Sequence, residues 1–148
     1  MKKKLILTVA TLVFITGCFS SKSTLEKTLE EKGYECSKRI CTLSSKEDIY
    51  QTVTIYDLEN KTYKKSSYYN ETAKENKEIT YNWEKGIVTF KSNMAGMEFN
   101  STYNKETEEY TCTSNVESDT TFKKVECDIY KDDILEVIKE IDKVVSTK

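Results

Sequence analysis

The sequence predicts an α+β fold: a curved antiparallel β-sheet, a meander of about six to eight strands, with an N-terminal helix and a C-terminal amphipathic helix packed on it. Three observations carry this expectation. From Tyr34 onward, apolar and aromatic residues recur in short period-two segments joined by hairpin-length polar links. The last stretch, KDDILEVIKEIDKVVSTK, changes to a helical period. Near the start of the domain, Ser23-Thr24-Leu25-Glu26 fits a capping box, in which a serine oxygen and a glutamate satisfy each other's backbone donors.

The first helix is expected over 24–32, with Leu25 and Leu29 on one face and Gly33 supplying the left-handed residue that ends it. GYECSKRICTL then reads as a small hairpin. IYQTVTIY, from Ile49 to Tyr56, is rich in β-branched and aromatic residues, and Ile49, Val53 and Ile55 share a face. KTYKKSSYY follows after a turn at Glu59-Asn60. The polar run ETAKENK, 71–77, reads as a loop. Ile79, Tyr81 and Trp83 alternate again, and Glu84-Lys85-Gly86 turns the chain into IVTFKSN. A turn at 93–96 leads to Met97, Phe99, Ser101 and Tyr103, and Asn104-Lys105-Glu106 turns into EEYTCTSNV. TFKKVECDIY, 121–130, reads as a last strand. In the closing helix Ile134, Ile138, Ile141 and Val145 form one stripe, with Asp132 and Asp133 suited to its start and Lys143 to its end.

Four cysteines fall within this domain, and an even number favours disulfides wherever a chain is exported to an oxidising compartment. Spacing favours Cys36–Cys41 across a tight hairpin and Cys112–Cys127 across a second one folded around 118–121, which would put the last two sulfurs on facing strands. Neither pair has the Cys-x-x-Cys spacing of a redox motif.

The first residues carry a different signal. Met1-Lys2-Lys3-Lys4 is a positive segment, and Leu5 to Ile15 is apolar but, at 11 residues, too short for a spanning helix, which needs about 20. Ile15-Thr16-Gly17-Cys18 closely resembles the lipobox of bacterial lipoproteins. The resemblance implies that residues 1–17 are a signal peptide, that Cys18 receives a diacylglycerol, and that the chain is cut just before it. Two acyl chains anchor a protein stably where one does so only marginally. Phe19 follows, so the aspartate that can mark inner-membrane retention is absent. Residues 18–22 would then be the lipidated cysteine and a short tether, and 23–148 one globular domain on the extracytoplasmic face of the cell membrane.

Three of the 23 basic residues lie in the leader, leaving 20 against 25 acids, a side-chain charge of about −5. Such a domain is not expected to bind nucleic acid. The chain has no histidine, which excludes Ser-His-Asp and Cys-His nucleophile arrangements and imidazole metal ligands. The glycines Gly17, Gly33, Gly86 and Gly96 are too scattered for a phosphate-cradling loop. Glu106-Thr107-Glu108-Glu109 and Asp132-Asp133 do not have the spacing of a calcium loop. No cofactor, metal or catalytic residue is therefore expected. The candidate binding surface is aromatic: Tyr63, Tyr68, Tyr69, Tyr81, Trp83, Tyr103 and Tyr110 fall in expected strands, where exposed rings would stack on sugars or grip a protein. These features favour a non-enzymatic lipoprotein that binds an envelope protein or a cell-wall ligand. The alternatives are a small envelope hydrolase using paired carboxylates, drawn from Glu71, Glu75, Glu78 and Glu84, and a structural or protective, immunity-type lipoprotein.

Overall fold

The computed structural model describes residues 21–69, 72–116 and 120–146. Cys18 and the lipobox-like stretch 15–18 lie outside the described residues. The elements run α1 (Thr24–Glu31), β1 (Glu35–Ser37), β2 (Ile40–Glu47), β3 (Tyr50–Asp57), β4 (Thr62–Tyr69), β5 (Thr72–Asn82), β6 (Ile87–Met94), β7 (Met97–Asn104), β8 (Tyr110–Ser114) and α2 (Thr120–Val145). Each strand pairs antiparallel with the next, so the eight form one open meander in chain order, with both helices on one face: an α+β fold.

Sequence chemistry explains the joints. Ser23 Oγ accepts from Glu26 N at 3.3 Å while Glu26 Oε2 accepts from Ser23 N at 2.7 Å, completing the capping box. Gly33, at φ +91°, ends α1 in the left-handed region that costs glycine nothing. Three turns at the lower end of the sheet begin with a side-chain acceptor. Asp57 Oδ1 accepts from Glu59 N and Asn60 N, Asn82 Oδ1 from Glu84 N and Lys85 N, and Asn104 Oδ1 from Glu106 N and Thr107 N. Backbone bonds then tie neighbouring turns together, Leu58 N to Arg39 O, Trp83 N to Lys61 O and Lys105 N to Gly86 O.

Register fixes which side chains meet the helices. Cys36, Cys41, Tyr56, Tyr63, Tyr81, Val88, Tyr103 and Tyr110 stand opposite one another in a row across all eight strands. Two residues along each strand, a second row holds Leu43, Thr54, Lys65, Ile79, Phe90, Ser101 and Cys112. α2 descends diagonally over these rows. Phe122 packs on Phe99, Tyr130 stacks on Phe90 with centroids 4.6 Å apart, and near its far end Asp142 Oδ1 accepts from Tyr81 Oη at 2.8 Å. The opposite face is polar, with Thr42, Lys64, Thr80, Thr89, Thr102 and Thr111 in one cross-strand row, interrupted by Ile55.

Four sequence expectations need correction. Residues 121–130 are helix, not strand, and α2 therefore begins at Thr120 and not at Asp132-Asp133. Its β-favouring residues yield to tertiary packing, because Phe122, Tyr130, Ile134, Ile138 and Ile141 make one continuous buried or half-buried stripe, with Val145 half-buried at its end. Cys127 thus bonds to Cys112 from a helix, not from a facing strand. The expected loop 71–77 is largely strand: β5 starts at Thr72, and from Asn76 its polar segment pairs with β4 on one side and β6 on the other. Ladder hydrogen bonds do not require apolar side chains. In β3 the face shared by Val53 and Ile55 turns away from the helices, Ile49 lies exposed before the strand, and Thr54 and Tyr56 are buried instead.

Candidate groove on the helix face

The diagonal course of α2 leaves the upper ends of β3–β6 uncovered. Two adjoining depressions of about 310 and 300 Å³ occupy this gap and share Ser67 and Lys77, so they form one groove. Its inner part has Lys65, Lys77, Ile79 and Phe90 from the sheet as floor and Asp133, Glu136, Val137 and Glu140 from α2 as wall. Its outer part is lined by Tyr50, Tyr68, Tyr69, Asn76 and Met94. Tyr50 and Tyr69 are cross-strand partners whose rings meet edge to face at 5.3 Å. A register shift between Tyr68 and Tyr69 lets two consecutive tyrosines line the same depression.

Beneath the wall lies an aromatic cluster, with Tyr56 and Tyr63 buried and Tyr34 and Trp83 half-buried. Tyr34, Tyr56, Tyr63 and Trp83 pack with centroids 5.0 to 6.3 Å apart. Burial raises the phenols of Tyr56 and Tyr63 well above the usual range, and neighbouring phenols and the Glu140 carboxylate push the same way. Burial also raises Tyr81, assisted by its hydrogen bond to Asp142 and by that carboxylate's charge. Lys105 Nζ pairs with the other oxygen of Asp142, tying the lower turn after β7 to the end of α2. Tyr130 is pushed up to about 12, by burial first, with the Ser92 hydroxyl beside it opposing and Glu126 adding to the rise. The Ser92 and Tyr130 hydroxyls are buried and fall short of hydrogen-bond geometry. Lys77 Nζ lies 5.8 Å from the centre of the Tyr130 ring, joining the groove floor to the core beneath α2.

The aromatic surface read from the sequence divides. Tyr63, Tyr81 and Tyr103 are 5%, 0% and 8% exposed and belong to the core, so they are not an open platform. Trp83 packs half-buried against the same core. Tyr110 is half-buried, and its hydroxyl donates to Cys127 O at 2.7 Å, inside the corner closed by the second disulfide. Strand register brings Tyr63, Tyr81, Tyr103 and Tyr110 to one face, and that is the face the helices cover. Tyr68 and Tyr69 do line the groove. Tyr50, Lys65, Lys77, Glu136 and Glu140 carry no site reading in the sequence, and Asp133 is read there only as a helix-start residue and in an acid pair without calcium-loop spacing. One signal was present: Lys65 and Lys77 have the same strand parity as Tyr63 and Tyr81, so charge falls on the inward face.

Two of the four carboxylates named from the sequence can be placed. Glu78 pairs with Lys64 on the polar face at 2.7 Å, Glu84 pairs with Lys61 at the lower turns, and the side chains of Glu71 and Glu75 lie outside the described residues. Among the described residues no group of three or more metal-ligating side chains is placed to hold an ion, and no helix is long and apolar enough to cross a membrane. The structure forms both Cys36–Cys41 and Cys112–Cys127. No protein family, curated protein or solved structure matches the chain.

Proposed function

We propose that the chain is a lipid-anchored, non-enzymatic binding module of the bacterial cell envelope, and that it takes its ligand in the groove between α2 and β3–β6. The observation that carries the reading is the groove itself, an unfilled and chemically mixed strip on the face that is otherwise packed as core. Lysines on the floor, carboxylates on the wall and tyrosines at the mouth suit an extended envelope ligand, a protein segment or a wall peptide, that carries both ammonium and carboxylate groups. Anchoring follows from the lipobox-like Ile15-Thr16-Gly17-Cys18.

Capture from envelope extract tests this reading, with the wild-type chain compared against Tyr50→Ala/Lys77→Glu. Material retained by the wild type and lost by the variant, at unchanged melting temperature, is the expected result. Equal retention by both overturns the groove. Cys18→Ala is expected to move the protein out of the membrane fraction, and wild-type levels in that fraction overturn the anchor.

A further inference from the structure

The end of the sheet opposite the mouth of the groove holds a basic corner. We propose that the β1–β2 turn docks on anionic phospholipid headgroups, so that the groove opens away from the membrane. The proposal rests on the lipid anchor proposed above. The chain places the two features together. Only Phe19 and Ser20 separate Cys18 from Ser21, so the Cα atoms of Cys18 and Ser21 are at most about 11 Å apart. Ser21 lines a depression of about 340 Å³ with Lys22, Ser37, Lys38 and Arg39. A lipid on Cys18 would therefore hold this corner against the bilayer.

The turn is built to present cations. Lys38 and Arg39 take φ of +48° and +65°, both in the left-handed region, where a two-residue hairpin turn favours Asn-Gly. Two long cationic side chains thus stand where local preference asks for small residues, and the Cys36–Cys41 bridge joins the strand ends on either side. Ile40 follows at 45% exposed, an apolar side chain at the same edge. The carboxylate in this depression, Glu26, is held by Ser23 N and Oγ in the helix cap and keeps its charge, with the Arg39 and Lys22 cations near it, and Lys22 pairs with Glu30, so Lys38 is the lining cation with the fewest acidic neighbours. Although the domain as a whole is acidic, this corner offers an anionic surface basic groups close to the anchor. Tyr50, Tyr69 and Met94, at the mouth of the groove, sit at the far ends of strands that span about 26 Å.

Hydrogen exchange on the full lipidated protein tests this, with the protein reconstituted in vesicles of phosphatidylcholine alone or mixed with phosphatidylglycerol. The amides of 37–40 are expected to exchange more slowly in the mixed vesicles. Each cation shifts the docking equilibrium about fivefold. Lys38→Glu/Arg39→Glu should abolish the difference, and so should about 1 M salt acting on the wild type, which needs no variant to fold. Equal exchange in the two vesicle types, with the lipid mass present on Cys18, overturns the docking surface and leaves the anchor standing. A chain without that mass overturns both.

Discussion

At the lower end of the sheet, successive turns are stitched by backbone bonds, Asp57, Asn82 and Asn104 cap them, and the row from Cys36 to Tyr110 lies under the helices. At the upper end the same strands carry Tyr50, Tyr69, Lys77 and Met94 into an open groove. Tyrosine occurs at both ends with opposite consequences. Tyr81 is 0% exposed and bonded to Asp142, whereas Tyr50 is 57% exposed. The difference lies in what α2 covers and not in the side chain. A helix that crosses the sheet diagonally seals the strand ends it reaches and leaves the others available for a ligand.

The contrast can be broken by substitution. The largest loss is expected for Tyr81→Ala, which empties a filled site and removes the partner of Asp142. Urea denaturation should show a loss of about 3–5 kcal/mol. Next comes removal of the Cys112–Cys127 bridge by paired alanines, which ties α2 to β8 across a separation of 15 residues. A loss of about 3 kcal/mol is expected, and a smaller one for Cys36–Cys41, whose separation is 5.

Alkaline pH sharpens the comparison. The buried phenols of Tyr56, Tyr63, Tyr81 and Tyr130 have pKa values raised above the unfolded value of about 10. The fold favours their neutral forms, so this stabilisation is complete below pH about 10 and is lost as pH rises through the folded values. The melting temperature should fall between pH 10 and about 12, where Tyr130 titrates, with phenolate absorbance from the buried rings appearing as the fold opens. A flat melting temperature across that range would contradict the burial of these rings. The smallest effect on stability is expected at the open end. Tyr50→Ala should change it by no more than about 0.5 kcal/mol, while weakening ligand capture about tenfold or more.

Much of the closed end was legible in the sequence. Ser23 and Glu26 marked the start of α1, Gly33 marked its end, and short period-two segments with polar turns described a meander. The spacing of the cysteines matched the bridges that form. The residues 121–130 were misread because Phe122, Val125, Ile129 and Tyr130 favour strands locally. Only the core beneath them decides for helix, and Val125 and Ile129 remain on the exposed side. The groove was hidden for a related reason. Alternation places Tyr63, Lys65, Ser67 and Tyr69 on one face but does not say where along that face a helix will stop covering them.

The central claim, that the uncovered upper end is the working surface, is tested most directly by photo-cross-linking in intact producing cells. A benzophenone side chain would be placed at position 50, in the groove, or at position 111, on the exposed polar face. The account predicts adducts to an envelope component from position 50 and none from position 111. No adduct from position 50, or the same adduct from both, would contradict it.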